Sequence, residues 1–185
     1  MNIDQPLFHW IFGMSGQSPL LDAAAVLVAR YVPYALVAGM VLFAILELRG
    51  SRPRLFFFLE TSLTLILSRG LMTPVISFFY YHARPFELAS ITPLFTVSGP
   101  SFPSGHAAFF FALAATLFCF NRRWGWWYVL AAAAIGIARV FAGVHWPLDI
   151  AGGAVVGIVS ASIVHALLRQ AGMSVGAYPR PRDVA

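Results

Sequence analysis

The stretch FAGVHWPLDIAGG, residues 141–153, sets His145 and Asp149 four residues apart, with Pro147 between them and Arg139 six residues upstream. Four residues is one helical turn, and proline is at home in the first turn of a helix. A carboxylate so placed can accept a hydrogen bond from one ring nitrogen of His145. That fixes the tautomer, leaves the other nitrogen free to attack an electrophile, and stabilises the cation that follows. Arg139 lies within AAAAIGIARVFAGV, where a charge is expensive unless it meets an anion or a carboxylate.

Two further stretches carry matching chemistry. In SFPSGHAAFF, residues 101–110, Pro103, Ser104 and Gly105 precede an apolar run and read as a helix start. Ser104 suits the cap, Gly105 lets a ligand approach the backbone, and the free amides favour an anion. A cap needs no imidazole, so His106 in the first turn stands out. In ARPF, residues 83–86, Arg84 reads either as an interfacial anchor or as an anion ligand. Two guanidinium forks at one depth suit a phosphate, whose oxygens accept bidentate hydrogen bonds. A metal site built on His106, His145 and Asp149 would have to tolerate two adjacent arginines, so no metal is expected. Glu87 and Ser77 are further candidates for substrate contact. His9, His82 and His165 read as interfacial or packed residues, and Glu60 and Arg69 as buried groups with structural roles.

These residues sit in an apolar chain. Of 185 residues 59% are hydrophobic and 10% charged, where a soluble domain carries roughly a quarter charged. The composition indicates one integral membrane domain, residues 1–185, of all-α class. Apolar runs near 21–48, 55–82, 104–120, 125–143 and 148–168 each approach the ~20 residues needed to cross a bilayer. Five to six transmembrane helices follow, depending on whether 55–82, broken by Arg69, Gly70 and Pro74, is one kinked helix or two. No alternation of polar and apolar residues supports a barrel. All twelve basic residues are arginine. Arg49, Arg52 and Arg54, then Arg122 and Arg123, then Arg169, Arg180 and Arg182 follow the first, third and fifth runs, which places them together on the cytoplasmic side. Residues 1–20 then lie outside as an interfacial helix, 21–169 form the bundle and 170–185 a cytoplasmic tail. Arginines beside apolar runs suit topology control better than nucleic-acid binding, so no nucleic-acid partner is expected. The single Cys119 excludes an intrachain disulfide. Arg84, Ser104 to His106, Arg139, His145 and Asp149 all fall at the outer face.

Together the three stretches resemble the type 2 phosphatidic acid phosphatase superfamily. Its signature is Lys-x6-Arg-Pro, Pro-Ser-Gly-His and Ser-Arg-x5-His-x3-Asp, matched in order by SFFYYHARP (77–85), PSGH (103–106) and ARVFAGVHWPLD (138–149). Ser77 stands where the family carries lysine, and Ala138 where it carries serine. The GMSGQSPLLD stretch (13–22), the RPF at the first motif and the length are similar to the short bacterial undecaprenyl-diphosphatase branch. The resemblance implies a multi-pass hydrolase of the bacterial cytoplasmic membrane, active toward the periplasm on a polyprenyl diphosphate without any cofactor. It implies His145 as nucleophile, Asp149 as its partner, and His106 as acid and then base. Arg84, Ser104, Gly105 and Arg139 would hold the phosphate. The same motifs would serve a phosphatase for phosphatidylglycerophosphate, phosphatidate or a lipid A phosphate. A lipid flippase would use the arginines alone.

Overall fold

A computed structural model describes residues 4–88 and 91–173. The end of the proposed tail, with Arg180 and Arg182, lies outside the described residues. Those described form helices joined by turns and loops, with no strand among them. They are α1 (Asp4–Phe12), α2 (Pro19–Arg30), α3 (Val32–Leu46), α4 (Ser51–Leu65), a π-helical turn (Ile66–Met72), α5 (Thr73–Phe79), the short α6 (Pro85–Leu88), α7 (Gly105–Phe120), α8 (Arg122–Phe141) and α9 (Pro147–Gln170).

Each apolar run becomes helical, but two do so with a defect. The first is a pair, α2 and α3, bent by 43° at Tyr31. Pro33 lies in the first turn of α3, where it has no N–H to continue the α2 ladder. The second is one continuous path from Ser51 to Phe79, 29 residues long. It is one path rather than two: the π turn absorbs the extra residue, and the Thr73 hydroxyl donates to the carbonyl of Ser68 five residues back, at 2.9 Å. The Ser51–Phe79 path, α8 and α9 are each long and apolar enough to span a membrane, and α2 with α3 is so as a pair. At 16 residues, α7 is shorter. The protein is a multi-pass membrane protein.

α7 and α9 run side by side in the same direction and approach closely because both present small residues. A Cβ on Gly157 would lie 2.5 Å from the Ala108 carbonyl oxygen, and one on Gly153 would lie 2.4 Å from that of Ser104. In lipid, helices gain little from hiding apolar surface, so such close backbone packing is what holds them together. A second layer of large side chains, including Phe43, Phe57, Leu113, Leu117, Tyr128 and Ile135, fills the other half of the bundle. There the Arg54 guanidinium donates to the carbonyls of Ala44, Ile45 and Leu48, closing the end of α3. Phe78, Leu130, Ile137 and Val155 point outward, as lipid-facing residues do.

α1 packs across the ends of α8 and α9 opposite that arginine-rich end. Phe8 is buried between Phe12 and Trp146, at 5.4 and 4.8 Å between ring centroids, while Trp10 on the other face is exposed. Asp4 accepts from the Leu148 amide at 2.9 Å, satisfying a free N–H at the start of α9.

Candidate active site

The turn from α8 to α9 brings His145 into position. Gly143 adopts φ +76°, and the Gly143 and Val144 amides donate back to the carbonyls of Val140 and Arg139. This glycine-ended helix closure reverses the chain within a few residues. α9 then starts at Pro147, and the Trp146 amide donates to Asp149 Oδ2 at 2.8 Å. The carboxylate is wholly buried and accepts from three more groups. His145 Nδ1 lies 3.3 Å from Oδ2, His82 Nδ1 lies 3.1 Å from Oδ1, and the Ser101 hydroxyl donates to Oδ2.

The other nitrogen of His145, Nε2, lies 3.3 Å from Nη1 of Arg84. Arginine can only donate, so Nε2 is the acceptor and Nδ1 carries the hydrogen that points at Asp149. Burial lowers the pKa of His145 to about 4; Asp149 pulls it upward, and Arg139 and Arg84 push it further down. The ring is therefore neutral near pH 7, with its lone pair on the side away from the carboxylate.

His145 lines a cavity of about 1060 Å³. Arg84, Gly105, His106, Arg139 and His145 all line it, so three separated stretches of sequence meet in one place. Ser77 lines it as well, with its hydroxyl donating to the Phe102 carbonyl at 2.9 Å. Ser104 is buried and turned into the helix, where its hydroxyl accepts from the Ala107 amide. Asp149 lies behind His145 and off the cavity wall. Glu87 is exposed and accepts from the Arg84 amide at 2.9 Å, so it holds the backbone of that arginine.

The two expected arginines differ in what they have left to give. Arg84 is buried and committed: its Nε donates to Gly99, Nη1 to Val144, and Nη2 to Ser98 and Pro100. Burial lowers its pKa, while the carboxylates of Asp149 and Glu87 oppose that. Arg139 is also buried, yet its Nε has no partner among the described residues, and Nη1 reaches only the Ala29 carbonyl at 3.5 Å. A buried guanidinium with an unpartnered N–H, on a residue that lines the cavity, favours an anion beside it.

Three participants escape the sequence patterns. His82, read there as interfacial, follows the end of α5 in extended backbone, so the two-residue alternation that turns Arg84 inward turns His82 the same way. Ser101 carries no comparable signal. Arg69, expected to be buried with a structural role, is exposed instead, because it lines the cavity on one stripe with Thr73 and Ser77, at i, i+4 and i+8. Glu60, a conceivable partner for Arg69, pairs instead with His165, Nδ1 to Oε1 at 2.8 Å, in the opposite half of the bundle.

A helical membrane bundle that points a neutral, carboxylate-backed imidazole and a buried guanidinium into one cavity is built for phosphoryl transfer at the membrane. The sequence pattern of the PAP2 superfamily matches residues 57–173; the chain belongs to that superfamily and is a phosphatase. It is 29% identical over 157 residues to the undecaprenyl-diphosphatase BcrC of Bacillus subtilis, covering 83% of this chain and 78% of the relative. Against the bacitracin transport permease protein BcrC of Bacillus licheniformis it is 28% identical, covering 89% and 79%. Among solved structures, LpxE of Aquifex aeolicus superposes with a TM-score of 0.73 at 28% identity, covering 89% of this chain and 95% of that one. The PAP2-type phosphatidylglycerolphosphate phosphatase of Bacillus subtilis superposes with a TM-score of 0.62 at 21% identity, covering 90% and 86%, a likeness of fold alone.

Proposed function

We propose that the protein hydrolyses the terminal phosphate of a polyprenyl diphosphate, undecaprenyl diphosphate in the first place, at the periplasmic face of a bacterial cytoplasmic membrane. The lipid tail stays among the helices and the head enters the cavity. Arg139 and the free amide at Gly105 receive the terminal phosphoryl oxygens, and Ser104 shapes the helix start that presents that amide. Arg84 anchors the cavity rim and turns its Nη1 hydrogen from His145 toward the phosphate as attack begins. His106 takes up a proton when the anionic head enters the cavity; His145 Nε2 then forms a bond to phosphorus while the bond to the lipid monophosphate oxygen breaks, and His106 gives that oxygen the proton. Asp149 stabilises the cationic phosphohistidine. Water then attacks the same phosphorus, His106 takes its proton, and inorganic phosphate leaves with His145 restored. The positive field comes from guanidinium groups and the end of α7, so the scheme uses no metal.

The observation that carries this reading is that a neutral His145, whose Nε2 is held only by Arg84, and the buried Arg139, whose Nε has no partner among the described residues, line one cavity. Identity with the undecaprenyl-diphosphatase relative favours the diphosphate substrate. The higher of the two structural similarities, to LpxE, favours a second reading, a phosphatase for another lipid phosphate. A panel in EDTA tests both: undecaprenyl diphosphate, phosphatidylglycerophosphate, phosphatidate and a lipid A phosphate, with phosphate release measured for the wild type and His145→Ala. The expected result is fastest release from the diphosphate and none from the variant. An active His145→Ala removes the mechanism, and faster release from another lipid removes the substrate. Lipid movement without phosphate release would turn the protein into a transporter.

A further inference from the structure

We propose that Arg69, with Arg30 beside it, forms a second phosphate subsite that makes the cavity selective for a diphosphate headgroup. This rests on the phosphatase reading above and names what its substrate must carry. The proposal starts from a deficit. A diphosphate bears more negative charge than Arg139 alone can meet, Ser77 supplies no cation, and Arg84 spends all but the Nη1 hydrogen facing His145 on Ser98, Gly99, Pro100 and Val144. Among the described residues, Arg69 makes no ion pair and no side-chain hydrogen bond, yet it lines the same cavity as Arg139 and His145.

Its position is built. A Cβ on Gly105 would lie 2.5 Å from Arg69 Nε and 2.9 Å from Cζ, so the guanidinium rests directly against the first residue of α7. That contact sets its depth at the start of α7, beside His106, roughly 15 Å short of the end of α5 along the helix. The π turn is the device that allows it, since Arg69 sits within Ile66–Met72, and such turns re-aim a side chain without breaking the helix. A charge at that depth without a counter-charge is costly, and an anion would remove the cost.

Arg69 also forms the boundary of a second, smaller hollow of about 270 Å³ that shares Gly105 and His106 with the first. Arg30 stands at this second hollow, and away from the arginines and His106 its wall is formed by Pro33, Tyr34, Val37, Phe109 and Phe110, apolar but for the Tyr34 hydroxyl. Arg30 is tied to the catalytic side through Phe95, whose ring lies 5.4 Å from the Arg30 guanidinium carbon and 5.9 Å from that of Arg139. The order is therefore His145 and Arg139, then Arg69 and Arg30, then an apolar groove. A terminal phosphate, a lipid-linked phosphate and a hydrocarbon chain follow the same order.

The test compares R69Q, R69K and R30Q with wild type on farnesyl diphosphate and farnesyl monophosphate in detergent micelles. It also measures inhibition by inorganic pyrophosphate and by inorganic phosphate. The R69Q change should lower kcat/KM for the diphosphate about ten- to a hundredfold, the worth of a lost charged hydrogen bond, and weaken pyrophosphate inhibition alike. Monophosphate turnover and phosphate inhibition should change less than about threefold, the ordinary effect of a change away from the reacting group. R69K should recover part of the loss, and R30Q should show the same selectivity more weakly. Equal losses on both substrates, or none, would overturn the subsite and leave the phosphatase standing. Wild type that releases phosphate from neither substrate, nor from any lipid of the panel, would overturn the phosphatase reading itself.

Discussion

Asp149 accepts four hydrogen bonds, from the Trp146 amide, His145, Ser101 and His82, and only a carboxylate can accept from all four. Asp149→Asn must turn an amide donor toward one of them, and it removes the negative charge behind the imidazole. A fall in kcat of roughly ten-thousandfold is expected, the loss known where such a carboxylate is neutralised behind a catalytic histidine. The pH profile should follow the shift in His145. In the proposed mechanism this ring attacks only when neutral, and its pKa is lowered by burial to about 4, so half of it is still neutral at that pH. The acid limb of kcat/KM in the wild type should therefore fall near pH 4 rather than 6.5. In Asp149→Asn the upward pull of the carboxylate is gone and the limb should move lower still. A limb near 6.5 in the wild type would mean that the ring is hydrated in the working enzyme.

The helices show which parts of this arrangement could be read before the structure was known and which could not. The relation of His145 to Asp149 was legible because it is local, one turn of α9 opened by Pro147. The helix start at Ser104 was legible for the same reason. Arg69 was not, because a straight helix gives no warning of a π turn, and its stripe with Thr73 and Ser77 has meaning only once Ser77 is known to face the cavity. His82 was missed because the end of α5 at Phe79, which leaves it in extended chain, is unmarked by glycine or proline. The bend between α2 and α3 was announced by Pro33, but its 43° depends on what those helices pack against. Packing itself makes a prediction. Gly157 abuts backbone atoms of α7, with a built Cβ 2.5 Å from the Ala108 oxygen and 2.7 Å from the Ala112 nitrogen, so nothing flexible can yield. Gly157→Ala should destabilise the detergent-solubilised protein by about 1–3 kcal/mol, the cost of overpacking. Lipid-facing Val155→Ala should stay within about 0.5 kcal/mol. Thermal unfolding of both variants, side by side, checks the difference.

The bundle has two chemically different ends, and that difference bears on which way it sits in the membrane. At one end, Trp124 donates to Glu47 at 3.3 Å and Phe57 packs on Phe120, so the turn after α3 and the turn after α7 lie together. Arg49, Arg52, Arg54, Arg122 and Arg123 belong to those turns, and Arg169 ends α9 on the same side because α9 runs alongside α7. At the other end the cavity opens between the described part of the 85–103 loop and the α8–α9 turn; Arg84 and Arg139 on its wall are buried, and Arg69, a few turns deeper along the same wall, is exposed. Exposed arginines resist translocation, whereas buried ones that will meet phosphate do not mark a cytoplasmic loop. The proposed orientation, with the arginine-rich end in the cytoplasm and the cavity facing outward, rests on that asymmetry. Thr92 and Arg52 are exposed at opposite ends and stand clear of the cavity wall. In a Cys119→Ser background, Thr92→Cys should react with a membrane-impermeant maleimide added to intact cells, and Arg52→Cys should react only after the membrane is opened. The reverse pattern would place the cavity inside, and the substrate would then have to be a lipid phosphate of the cytoplasmic leaflet.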